Sequence, residues 1–282
     1  MSLIEKSINK YLIKNLKKKI KLFDVSLRDG LQSQQKIYTL QEKKDLLIKI
    51  INKFQPNEVE VGSLVNTKIL PQMNNSVELY KYAEKLKINT NFYLLVPNKK
   101  KLETVEKEKI KNVSLISSFS DSFQKKNINQ SLENTKREIV KMNNKLESYE
   151  WIKNKKLYLS CFNDCPIEKK IDKKKIYDEI NFYKRFTNFD NYCLSDTTGN
   201  LTLNDYKNLI EQIKMIIGPE KLSIHLHYND LNKENTKKII MHSLKNDITK
   251  IDISCIDEGG CIMTLKGDKL NQNMSYELLE EL

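Results

Sequence analysis

The chain has 282 residues, is 39% hydrophobic and carries a formal net charge of +12. No apolar run approaches the ~20 residues that a membrane-spanning helix needs, so no membrane partner is expected. Only Arg28, Arg137 and Arg185 interrupt a basic complement that is otherwise lysine, scattered through Asn-rich stretches without the aromatic interleaving of a nucleic-acid reader. A basic surface of this kind points away from nucleic acid and still steers anionic small molecules toward the protein.

The first 20 residues carry Lys6, Lys10, Lys14 and Lys17 to Lys19 against the single acid Glu5, and read as an amphipathic helix capping one end of a single domain that spans 1–282. A mitochondrial presequence can look like this, but would normally favour Arg and Ser over the lysines found here. Five cysteines (Cys161, Cys165, Cys193, Cys255 and Cys261) form no CxxC pair, and an odd count without a signal peptide implies reduced thiols. A cytoplasmic setting is expected, with a mitochondrial one left open.

From residue 21 onward, a short apolar strand, a polar turn and a helix-period segment recur. Strands are expected at 21–26, 57–62, 91–96, 111–117, 156–161, 191–195, 222–227 and 250–255. Helices are expected at 39–54, 74–87, 131–153, 168–186 and 203–217; in the first, Leu40, Leu47, Ile50, Ile51 and Phe54 make one apolar stripe, and Gly218-Pro219 stops the last. Eight strands alternating with helices predict an α/β fold, a single (β/α)8 TIM barrel. The doubly wound alternative lacks its Gly-rich phosphate turn after the first strand.

Active sites of such barrels lie at the carboxyl ends of the strands. Those ends carry Arg28 and Asp29, Glu60, Pro97 and Asn98, Ser117 and Ser118, Asn163, Asp196, His225 and His227, and Cys261. In Leu222-Ser223-Ile224-His225-Leu226-His227 the apolar and polar residues alternate, so both imidazoles project from one strand face. An isolated His-x-His is often just a hydrogen-bonded polar pair, and an isolated Arg-Asp-Gly a charged turn. Together, Asp29, His225 and His227 offer two imidazoles and a hard carboxylate with positions left open, a donor set for Mg²⁺ or Mn²⁺. Zinc suits less well, because no thiolate cluster sits at ligand spacing. Arg28 beside the ion is placed to neutralise an oxyanion. Cys261 follows Gly259-Gly260 and reads as an exposed thiol on a flexible loop, whereas Cys255 is assigned to the core.

The chain resembles the 3-hydroxy-3-methylglutaryl-CoA lyases, a branch of the metal-dependent aldolase-like barrels (DRE-TIM metallolyases). The resemblance rests on Arg28-Asp29-Gly30-Leu31-Gln32, Pro71-Gln72-Met73, Lys125-Lys126-Asn127-Ile128-Asn129, Ser160-Cys161 with Cys165-Pro166, Asp196-Thr197-Thr198-Gly199, His225-Leu226-His227 and Gly259-Gly260-Cys261, in that order. It implies that Asp29, His225 and His227 bind a divalent metal, with an asparagine near the C-terminus, Asn273, as a further ligand. It implies that Arg28 stabilises an enolate, that Arg28 and Gln32 contact substrate, that Glu60 and Asp196 shape the polar site, and that Cys261 donates a proton. The implied reaction is a retro-Claisen cleavage of a 3-hydroxy-3-methylglutaryl-CoA-like thioester to acetoacetate and acetyl-CoA, with His225 or an acid close to Asp24 as base. An acyl-CoA or 3-hydroxy acid is the implied small-molecule partner, and a homodimer stays open as the assembly.

Several positions depart from the family's pattern. Ile262-Met263 follow Cys261 where the family has Pro-Tyr, and Asp257 stands two residues before the Gly-Gly pair in place of glycine. Tyr228-Asn229-Asp230 is closer to the related acyl-CoA-condensing synthases. The spacing from Cys261 puts the asparagine ligand near Leu270, while the run Asn273-Met274-Ser275-Tyr276-Glu277 favours Asn273. The family's C-terminal extension is expected to be missing after Leu282. Two other readings therefore stand beside the lyase: a condensing synthase of the isopropylmalate or homocitrate synthase type, and a catalytically inactive barrel with a binding role.

Overall fold

A computed structural model describes residues 13–256 and 271–282. Eight parallel strands close a barrel: β1 (Lys21–Asp24), β2 (Glu58–Ser63), β3 (Asn91–Leu95), β4 (Asn112–Ser118), β5 (Asn154–Ser160), β6 (Asn191–Asp196), β7 (Leu222–Tyr228) and β8 (Lys250–Ile253). Each pairs with its neighbours in chain order, and β8 closes the ring on β1 through the register Lys21↔Lys250 to Asp24↔Ile253. This is the predicted (β/α)8 barrel, and all eight strands lie where sequence alternation placed them.

The helices are α1 (Leu40–Phe54), α2 (Ser76–Lys85), α3 (Leu102–Lys107), α4 (Asp121–Ile128), α5 (Leu132–Glu147), α6 (Lys173–Phe186), α7 (Leu203–Ile217), α8 (Lys233–Lys245) and α9 (Tyr276–Glu280). Side-chain caps set several starts: Thr39 and Glu42 form a reciprocal capping box before α1, and Ser131, Asp172 and Thr202 cap α5, α6 and α7. Two expected helices are shorter than their apolar periodicity suggested. The one read at 131–153 stops at Glu147, because Lys153 must already donate to the Lys111 carbonyl (2.7 Å) to set β5 against β4. The one read at 168–186 starts at Lys173, because a hairpin pairing Asp164–Cys165 with Lys169–Lys170 occupies the preceding residues.

Apolar faces of the helices pack on the outside of the barrel, around Leu47, Ile50, Leu79, Ile139, Ile180 and Ile213. The inside is different. It holds two small apolar clusters, Phe23 with Val25 and Tyr93, and Leu95 with Tyr158 and Cys193. Between them lie buried charged residues, Lys156 and Asp252 among them. The barrel is thus a packed core with a polar layer just beneath its carboxyl-end mouth. At the opposite end, residues 13–17 are helical, and Leu16 and Ile20 pack on the core; most of the capping helix read at 1–20 lies outside the described residues. Among the described residues no helix is long and apolar enough to cross a membrane.

Gly62 sits where the β2–β3 register shifts between Glu60 and Ser63, and its Cα faces the start of α2. A Cβ there would lie 2.8 Å from that of Ser76. Gly62→Ala is therefore expected to cost about 1–3 kcal/mol of stability through overpacking. Urea unfolding measures this directly; an unchanged midpoint would mean that strand and helix have slack at this contact.

Candidate metal centre

The site begins with the turn after β1. The Val25 carbonyl accepts amide protons from Arg28 (3.1 Å), Asp29 (2.8 Å) and Gly30 (3.2 Å), a wide turn closed by an i→i+5 bond. Gly30 lets that turn press against the end of β8, since a Cβ would come within 2.9 Å of the Ile256 Cβ and 3.0 Å of Ser254 Oγ. Arg28 and Asp29 are thereby held, both buried, over the barrel mouth. Arg28 Nε donates to Glu60 Oε2 on β2 at 2.5 Å, and its Nη1 pairs with Asp29 Oδ1. Its guanidinium also lies 5.1 Å from the Tyr158 ring centroid, and Tyr158 donates to the same Glu60 oxygen at 3.2 Å. Three strands thus fix one cation.

His225 and His227 enter from β7, on one face as the alternation requires. His227 Nδ1 lies 2.8 Å from the Asp196 backbone carbonyl, which can only accept, so Nδ1 carries the proton. His225 Nδ1 donates in the same sense to Asp252 Oδ2 at 3.3 Å. Both Nε2 lone pairs then face each other across 3.4 Å, and lie 3.9 Å (His225) and 3.8 Å (His227) from Asp29 Oδ2. Two imidazole nitrogens and a carboxylate oxygen so placed make a donor set that a cation between them would satisfy. The centre of that triangle is about 2.1 Å from each corner, a metal–nitrogen or metal–oxygen bond length. Asp29, His225 and His227 are the group of ligating side chains that such an ion fits among the described residues. Opposite His227, in antiparallel register, stands Asn273, whose side chain shares that residue's face.

Burial pushes the Asp29 carboxyl up, but the Arg28 guanidinium and the two imidazoles outweigh it and hold the group well below the usual carboxylate range. Arg28 loses by burial and gains more from Glu60 and Asp29, so it stays charged. Burial lowers His225; in His227 it is overcome by Asp29 and the Asp196 carbonyl, and that ring stands above its ordinary value. Asp196 is raised to about 6 by burial; its Oδ2 accepts from the Leu201 amide, while Oδ1 has no hydrogen-bond partner among the described residues.

A cavity of about 470 Å³ opens over these groups. One wall presents Arg28, Asp29, Gln32, His225 and His227, and Gln32 donates to Asp29 Oδ1 at 2.9 Å. Much of the remaining lining is apolar, with Ile69, Leu70, Leu95, Ile116 and Phe123. Pro97 and Asn98 line it too, as does the segment from Lys126 to Gln130. The other strand-end candidates turn elsewhere: Ser117 bonds Tyr183, Ser118 bonds the Ser160 carbonyl, and Asn163 bonds Asp205. Asp24 does not line the cavity. Its carboxylate accepts from the Ser26 amide (2.9 Å), Ser26 Oγ (3.0 Å) and Tyr276 Oη (2.7 Å), which ties β1 to α9, and burial raises it to about 6. Cys261, with Asp257 to Gly260, lies outside the described residues.

Sequence reading passed over Tyr158, Lys156 and Asp252. The signal was present: Lys156 and Tyr158 alternate on β5, and Asp252 interrupts the apolar β8, so all three must face the barrel interior.

The comparisons with known proteins agree on one relationship. A family model described as HMGL-like matches residues 19–233. The mitochondrial hydroxymethylglutaryl-CoA lyase of Macaca fascicularis is 28% identical over 248 residues, covering 87% of this chain and 73% of that protein. A 3-hydroxy-3-isohexenylglutaryl-CoA/hydroxymethylglutaryl-CoA lyase of Pseudomonas aeruginosa is 26% identical over 250 residues, covering 88% and 80%. The crystal structure of hydroxymethylglutaryl-CoA lyase from P. aeruginosa superposes with a TM-score of 0.80 at 24% identity, covering 93% of this chain and 84% of that one, which establishes the shared fold.

Calorimetric titration tests the centre without any substrate. Mn²⁺ is expected to bind the wild type at one site, and His225→Ala, His227→Ala and Asp29→Asn should each weaken it at least ~100-fold, since outer-shell changes alone cost 10–100-fold. Equal affinity in wild type and His227→Ala would remove the assignment.

Proposed function

The chain belongs to the HMGL-like family, and from that premise we propose that it is a divalent-metal-dependent carbon–carbon lyase. Its reaction is the cleavage of 3-hydroxy-3-methylglutaryl-CoA, or a like 3-hydroxyacyl thioester, to acetoacetate and acetyl-CoA. The observation that carries this reading is the convergence of the Asp29, His225 and His227 donors beside the clamped Arg28 guanidinium.

In the proposed reaction Asp29, His225, His227 and Asn273 would hold Mg²⁺ or Mn²⁺. When bound, the ion would supply Lewis acidity to the oxygens of the substrate. The hydroxyl proton goes to a base, His225 or an acid close to Asp24; Asp24 itself has both oxygens engaged by Ser26 and Tyr276 and does not line the cavity. As the carbon–carbon bond breaks, the electron pair passes to the thioester enolate. Arg28 stands ready for that oxyanion, already desolvated and oriented by Glu60 and Tyr158, so little reorganisation is needed. Cys261 then protonates the enolate carbon to give acetyl-CoA. Gln32 steadies Asp29 and reaches the substrate side of the cavity. The apolar lining faces the acyl group or the thioester arm.

Incubation with a panel of 3-hydroxyacyl-CoA esters and Mn²⁺ is expected to release acetyl-CoA and a 3-oxo acid. Release of free CoA from acetyl-CoA plus a 2-oxo acid would favour a condensing synthase, and no turnover on either set would favour an inactive binding barrel. On the best substrate, Arg28→Gln should lower kcat by ~10²–10³ with little change in KM, because its contact forms with charge that develops only along the reaction path. A normal kcat with a raised KM would place Arg28 in ground-state binding. Cys261→Ser should lose most turnover while binding Mn²⁺ normally, because a hydroxyl is a far weaker acid than a thiol; wild-type turnover would remove Cys261 from the mechanism.

A further inference from the structure

Beneath the candidate centre the barrel interior holds a charged pair that the reaction above does not use. Lys156 on β5 and Asp252 on β8 meet across the interior, 1% and 2% exposed, with Lys156 Nζ donating to Asp252 Oδ1 at 2.5 Å. The ammonium is fixed from two further sides, 3.4 Å from the Phe23 ring centroid and 4.5 Å from that of Tyr158. The other carboxylate oxygen, Oδ2, accepts from His225 Nδ1 at 3.3 Å and from Cys193 Sγ at 3.7 Å. A buried ion pair stabilises a fold weakly compared with apolar side chains of the same volume, so the cost of desolvating both groups points to a use beyond stability.

We propose that Asp252, held by Lys156, is the positioning residue that fixes the His225 tautomer and so turns Nε2 into a metal-ready donor. This rests on the metal reading of the site. Lys156 has donors and no acceptor, so it keeps Asp252 as an acceptor on both oxygens. Facing such a carboxylate, His225 Nδ1 must carry the proton, and the lone pair is left on Nε2, toward Asp29 and His227. The partner histidine gets the same instruction from a backbone carbonyl, which no side-chain substitution removes. His225 is therefore the ligand whose readiness depends on side chains, and β5 and β8 supply them.

The consequence is specific. In Asp252→Asn one amide oxygen must serve the Lys156 ammonium, because two donors cannot face each other. The amide NH2 then points at His225, whose Nδ1 must accept, and the ring proton moves to Nε2, into the metal position. The shape of the core is unchanged; the tautomer is wrong, as when the orienting carboxylate of a catalytic triad is replaced by its amide.

The test reads the tautomer in the metal-free protein. Nitrogen-15 correlation spectra of histidine-labelled wild type should show His225 protonated at Nδ1, with His225→Gln used for assignment. Asp252→Asn should show it protonated at Nε2, with His227 unchanged, and Mn²⁺ affinity should fall about 10–100-fold. Should Asp252→Asn fail to fold, Lys156→Met/Asp252→Leu replaces the pair with apolar volume; its His225 should also shift toward the Nε2–H form, donating to His227 Nε2. An unchanged His225 tautomer in the folded variant would overturn the proposal, as would a shifted tautomer with undiminished Mn²⁺ affinity. A wild type that shows the tautomer change on mutation but never binds Mn²⁺ or Mg²⁺ would overturn the metal reading and with it the purpose assigned to Asp252, and the two failures are told apart by the spectra.

Discussion

Two imidazole nitrogens stand 3.4 Å apart with their lone pairs facing, and a carboxylate oxygen completes the triangle at 3.8–3.9 Å. Within it Asp29 attracts both imidazoles and, with the Asp196 carbonyl, holds His227 above its ordinary pKa. The protons that would let His225 and His227 hydrogen-bond one another are committed to Asp252 and to the Asp196 carbonyl. Such a donor set suits a cation, and the surrounding barrel keeps it assembled. Gly30 lets the first loop approach, β7 aligns two side chains on one face, and the short Gln272–Asn273 strand adds an amide at the edge.

Around the triangle, charge is distributed with care for distance. Arg28 neutralises Asp29 on one oxygen and Glu60 behind it, leaving Asp29 Oδ2 turned to the histidines. Lys156 neutralises Asp252 one layer deeper. Tyr158 stands between the two cations, its ring within reach of both and its hydroxyl on Glu60. Within this layer the anionic Asp29, Glu60 and Asp252 outnumber the cationic Arg28 and Lys156, which favours the entry of a further positive charge into a region where water is scarce. Positioned, desolvated charge of this kind also suits an oxyanion that forms next to Arg28 during a reaction.

Much of this was legible in the sequence, for physical reasons that differ between parts. The eight strands announce themselves because parallel strands buried on both faces are short apolar runs between polar turns. His225 and His227 could be placed on one face because strand periodicity is two, and Asp29 joins them because every strand of a barrel ends at the same mouth. Helix ends were less legible: Glu147 and Lys173 are set by where the next strand or hairpin must begin, a tertiary demand that local periodicity does not carry. Helix α8 was overlooked because Thr236, Ile239, Ile240 and Leu244 make its buried stripe within a lysine-rich segment. Lys156 reads as one more surface lysine among many, and only closure of the barrel shows that it faces Asp252. Asp24 had the opposite fate: adjacent in sequence to the Arg-Asp-Gly turn, it is turned toward Ser26 and Tyr276.

The central claim is that one divalent ion sits between the two Nε2 atoms and Asp29. Pulsed electron paramagnetic resonance on Mn²⁺ bound to the full chain addresses it most directly. The account predicts nitrogen couplings from two directly bound imidazoles, reduced to one in His227→Ala. A spectrum without imidazole nitrogen, as from hydrated ion or carboxylate ligands alone, would contradict it.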